Sequence, residues 1–284
     1  MYRPDSGLGK DFDQEGTALI RMLLTDKGVE LTSYRDQDLK HILKHMMKKA
    51  GIPDLNEYCR FLLQNPREFE NVLIGLIGSH QLGVDDAELF QALTEEVIPL
   101  LVLQKSMKGE GRLKIWASGV SGMITPYRLA ILFREMLGEV IDNYSVDILT
   151  SVSTEDQIAL ANDPRFPPSD IESMTNDIKE RYFHLDGDHL RPCMDIKKMV
   201  KVLLVDPASG PWPKGVDLVI SKEGFMNLPK GLRTRRMRHF HRSLNEGGFL
   251  LMNDRMVLNG ELSIDMRLLG ERPGFYQKKN IHDC

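Results

Sequence analysis

Apolar positions along the chain change period near residue 112. Before it they recur at helical spacing: Leu19, Ile20, Met22, Leu23 and Leu24 cluster ahead of a break at Lys27 and Gly28. Leu39, Ile42, Leu43, Met46 and Met47 then fall three and four apart until Gly51 and Pro53 end the pattern. Further helices are predicted at 54–64 (Leu55, Tyr58, Cys59, Leu62, Leu63), at 67–78 (Phe69, Val72, Leu73, Leu76, Ile77) and from Asp85 and Asp86 to about Lys105. Beyond the charged segment KSMKGEGR, short apolar runs alternate with helical stretches. Strands are predicted at 113–117, 146–150, 199–205, 216–221, 248–253 and 274–279, and helices at 126–138, 154–162, 170–182 and 230–244. Such alternation predicts a mostly parallel sheet with helices on both faces. The segment Arg181 to Pro192, RYFHLDGDHLRP, places an Asp-Gly turn between two β-like arms and predicts a small projecting hairpin.

Composition narrows this picture without changing it. At 42% hydrophobic and 27% charged the chain reads as a soluble globular protein. A net charge of -4 and a pI near 6.1 argue against a surface that coats nucleic acid. Cys59, Cys193 and Cys284 are far apart, with no C-x-x-C spacing, which predicts a reducing cytoplasm and neither a disulfide framework nor a zinc site. His41 and His45 have i,i+4 spacing but no acidic partner nearby, so no metal is expected. The N-terminus has no apolar core of a signal peptide, and no apolar run reaches a membrane span, so a cytoplasmic protein without membrane insertion is expected. The expected organisation is a flexible tail at 1–14, a helical N-terminal domain at 15–85, a connecting helix and linker at 86–112, and a sheet domain at 113–284.

The segment 113–130, LKIWASGVSGMITPYRLA, reads as a strand, a glycine turn and the start of a helix. That geometry aims backbone N–H groups and a helix N-terminus at whatever lies above the strand end. Small residues at such a junction also serve close packing, so the pattern alone leaves both uses open. No G-x-S-x-G, Walker or paired-carboxylate signature is present.

Residues 116–130 resemble the S-adenosylmethionine-binding turn of the chemotaxis-receptor methyltransferases, the CheR family, whose pattern is roughly W-S-A-G-C-S-T-G-E-E-P-Y-S-L-A. Trp116, Gly119, Ser121, Pro126, Tyr127, Leu129 and Ala130 match it. The N-terminal part is similar too: G-(I/V)-x-L-x-x-Y-(K/R) at Gly28 to Arg35, a basic helix, a glycine turn, and a helix ending in a D-P-x-E-like run at Asn65 to Glu68. The resemblance spans nearly residues 15–280. It implies an α/β fold: a Rossmann-like S-adenosylmethionine methyltransferase domain with a small all-helical N-terminal domain and a short β-hairpin insertion. A reversed last strand is expected at the sheet edge. The implied cofactor is S-adenosylmethionine or S-adenosylhomocysteine, and the implied partner is a chemoreceptor or signalling protein. Lys40, Lys44, His45 and Lys48 on the basic helix would face the receptor's negatively charged methylation helices, although solvation alone also accounts for them. The longer glycine-containing loop of members that bind a receptor's C-terminal pentapeptide is missing, so no such tether is expected.

Carried over position by position, the cofactor-binding candidates are Gly119, Ser121, Thr125, Ser151, Asp206, Ser221 and Glu223. The arginine of the family's T-x-F-F-R motif falls on Asp85, and its third turn glycine and two acids fall on Met123, Ile124 and Thr125. The acid that holds the ribose falls on Ser151, and the asparagine and active-site tyrosine of C-R-N-V-x-I-Y-F fall on Glu223 and Asn227. Exchanging a guanidinium for a carboxylate forfeits a charge-assisted bond of roughly 1.5–3 kcal/mol. Trp116, Pro126, Tyr127, Trp212, Pro213, Gly247 and Gly248 keep the framework. Framework kept with polar contacts exchanged predicts a pseudo-methyltransferase that acts by binding a receptor or signalling partner, with cofactor binding weak or lost and no catalytic residue assigned. The alternative is an active S-adenosylmethionine-dependent protein-glutamate O-methyltransferase. A minor reading gives the arginine-rich run 233–242 a phosphate ligand or nucleic acid, where a solvated helix face explains the same residues. A nucleic-acid partner is not expected.

Overall fold

The computed structural model describes residues 15–26, 43–44, 46–48, 50–66, 68–69, 72, 86–118, 124–152, 158, 161–205, 210–221, 229–252, 258 and 261–280. The chain divides into two compact units, Met1–Gln81 with Gly224–Thr234, and Leu82–Glu223 with Arg235–Cys284.

The first unit contains helices α1 (Glu15–Asp26) and α2 (Leu55–Gln64). Asp54 caps α2, its side chain accepting from the Glu57 amide at 2.8 Å. The stripe read from spacing buries as expected: Leu43, Met46 and Met47 pack with Leu23, Tyr58, Cys59, Leu62, Phe69 and Val72. Tyr58 is fully buried and its hydroxyl donates to Glu68 Oε1 at 3.1 Å, which satisfies a phenol that has no water. Leu232, from the sequence-distant part of this unit, packs on the same cluster. Met22 and Leu63, expected in the apolar faces, are each 55% exposed, because each lies about 100° around its helix from the buried Leu23 or Leu62. Of the predicted helix at 67–78 only Glu68, Phe69 and Val72 are described.

The second unit opens with α3 (Asp86–Ala92), a π-helical segment (Leu93–Val97) and α4 (Ile98–Lys108) in one continuous run. Pro99 accounts for the π segment, since it has no N–H to give and its ring crowds the carbonyl four residues back. The helix outlasts its predicted end and stops at Gly109, whose φ of 66° lets its amide turn back onto the Lys105 and Ser106 carbonyls.

There follow β1 (Arg112–Ser118), α5 (Ile124–Leu137), β2 (Ser145–Val152), α6 (Asn176–Tyr182), β3 (Phe183–Asp186), β4 (His189–Pro192), α7 (Met194–Lys197), β5 (Val200–Leu204) and β6 (Val216–Ser221). α8 (Lys230–Ser243), β7 (Leu244–Met252), α9 (Glu261–Asp265), β8 (Met266–Leu268) and β9 (Phe275–Lys278) complete the described elements. Seven strands form one sheet in the order β5-β2-β1-β6-β7-β9-β8, and β3 and β4 form the expected hairpin. Gly187 turns that hairpin at φ 67°, a conformation that side chains disfavour. β1, β2, β5, β6 and β7 pair in parallel, and β9 runs antiparallel to both of its neighbours.

Two expectations are corrected. The reversed strand predicted at 274–279 is not at the edge: it lies between β7 and β8, and the edge strand β8 was unpredicted because three residues carry no periodicity. The helix predicted at 170–182 begins only at Asn176, where Thr175 caps it; before it Pro168–Ile171 form a 3-10 turn. Of the helix at 154–162, only 158, 161 and 162 are described as helical.

Ile115, Ala117, Leu218, Ile220, Phe249 and Leu251 line one face of the sheet and pack in one cluster with Leu129, Ala130 and Phe133 of α5. The other face presents Trp116, edge-on to Phe240 of α8 at 5.2 Å between ring centroids. Helices therefore cover both faces, and the glycine pair at 247 and 248 admits the tight β6–β7 junction: a Cβ on Gly248 would meet the Asn245 oxygen at 2.9 Å and the Asp217 oxygen at 3.1 Å.

Candidate cofactor site

From β1 the chain winds outward to β2 and β5, then returns to β6 on the other side of β1. The β1/β6 junction is thus the topological switch point, and ligands of such sheets bind outside the carboxyl ends of the strands there. Ser118 at the end of β1 is in register with Ser221 at the end of β6, which is in register with Met252 at the end of β7. Both serines are buried. α5 starts above β1; Thr125 in its first turn is buried, and that turn carries no acid.

One β-strand away lies Ser151. Trp116 and Leu149 are partners across β1 and β2, so Ser151, two residues beyond Leu149, shares the face of Trp116. The Trp116 indole N–H donates to Ser151 Oγ at 2.9 Å. Trp116 is fully buried, and a buried indole N–H needs an acceptor. Ser151 itself is half-buried, and this is the only hydrogen bond of its side chain among the described residues. Its hydroxyl proton and second lone pair remain available. Trp116 also packs against Trp212 at 5.8 Å; Trp212 stacks on His239 at 4.8 Å, and the Arg236 guanidinium lies over Trp212 at 4.7 Å. Burial, and then the charges of Arg236, Arg235 and Arg242, hold the His239 pKa below the ordinary histidine range.

The buried acids sit at the opposite, amino pole. Asp147, near the start of β2, pairs with Arg112 at 2.8 Å and with Lys201. Burial pushes its pKa up, but the Lys201 and Arg112 contacts outweigh this and leave it below the ordinary carboxylate range. Asp217, near the start of β6, pairs with Lys105 at 3.0 Å and accepts from the Lys114 amide at 2.9 Å and the Asn245 side chain at 2.7 Å. The described strand ends that face the site, Ser118, Ser151, Val152, Ser221 and Met252, include hydroxyls and no carboxylate.

The structure thus brings Ser151, Ser221 and Thr125 to one pole of the sheet. Gly119, Ser121, Asp206 and Glu223, together with Asp85 and Asn227, lie outside the described residues, as do Lys40 and His45; Lys44 and Lys48 are exposed in the first unit. The donor set fits the hydroxyl-rich ribose of a nucleoside cofactor, which Ser151 would hold through a neutral contact. The Trp116–Ser151 bond escaped the sequence reading. The signal for it was Trp116 itself, an indole in an apolar strand with a donor to satisfy. Among the described residues no cluster of three metal-ligating side chains occurs, and no helix is long and apolar enough to cross a membrane.

A doubly wound, mostly parallel sheet with one reversed strand and a polar switch point defines a Rossmann-like α/β domain. The family model described as "CheR methyltransferase, SAM binding domain" matches residues 85–267, more than half of the chain. The chain belongs to the CheR methyltransferase family. It is 23% identical over 273 residues to a chemotaxis protein methyltransferase of Borreliella burgdorferi, covering 93% of this chain and 94% of that one. It is 22% identical over 248 residues to a probable chemotaxis protein methyltransferase of Rhizobium etli, covering 84% and 91%. Among solved structures, coclaurine N-methyltransferase bound to N-methylheliamine and SAH aligns over 92% of this chain and 72% of its own at 11% identity and a TM-score of 0.25, too low to carry an argument.

Proposed function

We propose that this chain is a pseudo-methyltransferase of chemotaxis or related signalling, which binds a chemoreceptor or signalling partner and retains at most a weak S-adenosylmethionine site. The observation that carries the reading is Ser151: where the family resemblance implies a ribose-binding acid, a neutral hydroxyl stands with one lone pair already given to Trp116. Neutral hydrogen bonds contribute about 1 kcal/mol and charged ones about 1.5–3, so this exchange alone weakens the cofactor roughly tenfold. The sulfonium cofactor supplies an electrophilic methyl group, and the protein's task is to hold and orient it against a nucleophile. A loosely held cofactor forfeits the orientation on which that rate depends. Lys44 and Lys48, exposed on the first unit, support a role in steering an acidic partner.

Transfer of labelled methyl groups from S-adenosylmethionine to a chemoreceptor fragment tests this reading. Binding of the fragment without incorporation is the expected result, and stoichiometric methyl esters would overturn it. The second reading, an active protein-glutamate O-methyltransferase, is favoured by near full-length alignment with relatives named as chemotaxis methyltransferases.

A further inference from the structure

We infer that Trp116 is a positioning residue for the ligand site, and that the Trp116–Ser151 pair reads the ribose of a bound nucleoside as a hydrogen-bond donor. This rests on the reading that the carboxyl ends of the strands retain a weak S-adenosylmethionine site. A carboxylate at the end of β2 could only accept from ribose hydroxyls. A serine hydroxyl has one proton and two lone pairs. The Trp116 indole, held by Phe240 at 5.2 Å and Trp212 at 5.8 Å, occupies one lone pair from beneath at 2.9 Å. Ser151 is half-buried and Oγ makes no further hydrogen bond among the described residues, so its proton is left for a ligand at the carboxyl ends of the strands. A hydroxyl that accepts a hydrogen bond also becomes a better donor, because the two bonds polarise each other. Trp116 therefore both fixes where Oγ sits and biases Ser151 toward donating to a ribose oxygen.

The geometry also explains why the pair tolerates a serine at all. The indole is fully buried, so the acceptor beneath the ligand has a structural duty that persists whether or not a ligand is bound. An aspartate would satisfy the indole with one oxygen and leave the other for the ribose. Ser151→Asp is thus the substitution that keeps the structural bond and inverts the reading.

The chain has two tryptophans, so a labelled sample gives two indole N–H resonances, assigned through Trp212→Phe. On titration of the full chain with S-adenosylhomocysteine, the Trp116 resonance is expected to shift more than that of Trp212. Calorimetry is expected to show Trp116→Phe, which keeps a ring against Phe240, and Ser151→Ala each weakening binding about three- to tenfold, as loss of one hydrogen bond implies. The double variant is expected to be no weaker than either single one, a coupling that independent losses of stability would not produce. Ser151→Asp is expected to tighten binding by about tenfold. Binding by the wild type with an unmoved Trp116 resonance, or additive losses, overturns the inference. If the wild type gives no heat at millimolar ligand, recovery of binding in Ser151→Asp still supports the pair as the ribose position, and its failure to recover overturns it. These results stand apart from receptor methylation, which tests the proposed function.

Discussion

Lys105→Met separates the pole of the sheet that holds the fold from the pole proposed to meet the ligand. The Lys105 ammonium is buried on α4, with side-chain exposure of 11%, and pairs with Asp217 at 3.0 Å and Glu110 at 2.7 Å. Asp217 is more deeply buried, at 6% side-chain exposure. Removing one partner of a buried pair costs about 3–5 kcal/mol. The Lys114 amide and Asn245 remain as donors to Asp217 and recover part of this, at about 1 kcal/mol for a neutral bond. The expected loss is therefore about 2–3 kcal/mol, or a Tm lower by about 5–10 °C for a unit of this size. Asp217→Asn leaves Lys105 paired with Glu110 and is expected to cost less. Burial draws the Lys105 pKa down, but bonds to Glu110 and Asp217 outweigh it and the net pKa is raised. A raised folded pKa contributes stability that is complete below the unfolded lysine value of about 10.4 and is lost as pH rises through the folded value. The difference between wild type and Lys105→Met should thus be flat from pH 6 to about pH 9 and shrink at higher pH. Asp217 stands four residues from Ser221, about 13 Å along β6, so S-adenosylhomocysteine affinity should not change. Urea unfolding followed across pH, with calorimetry at pH 7, measures all three. A loss below about 1 kcal/mol, or a larger loss for Asp217→Asn, would refute the reasoning.

Asp147 carries the mirror prediction. Its folded pKa is depressed, so its contribution is present above the unfolded aspartate value of about 3.9 and is lost as pH falls through the folded value; Asp147→Asn should lower the Tm at pH 7, by a margin that shrinks as pH falls below about 3.9. Lys44→Glu with Lys48→Glu should slow association with an acidic chemoreceptor fragment at least tenfold at low salt, with the deficit shrinking above about 0.5 M salt, as read by stopped-flow kinetics. Gly187→Ala forces a side chain into the left-handed turn of the hairpin and should cost about 1–2 kcal/mol, visible as faster amide exchange at Leu185 and Leu190.

The parallel sheet was legible because its strands are apolar on both faces and bounded by turn residues, as in VDLVIS at 216–221, which is buried throughout. What the sequence withheld depends on register. Trp116 meets Ser151 across 35 positions only because β1 and β2 align Trp116 with Leu149, and no periodicity encodes that offset. The pairing of Lys105 with Asp217, across 112 positions, has no local signature for the same reason. The membership of 224–234 in the first unit has no local signature either, since it shows itself in the packing of Leu232. Of the site, the resemblance supplied the positions and the structure supplied what Ser151 is already bonded to.

The placement of β9 between β7 and β8 sets an order of events. β7, whose 249–252 stretch Phe-Leu-Leu-Met is fully buried in the finished sheet, is synthesised before the strand that covers its free side. Until residues 275–278 emerge, that apolar strand presents an open edge able to pair with another chain. Closing the sheet is therefore an insertion of β9 between two strands made before it, and the interval before that insertion is when this sheet is most exposed to aggregation or to capture by a chaperone.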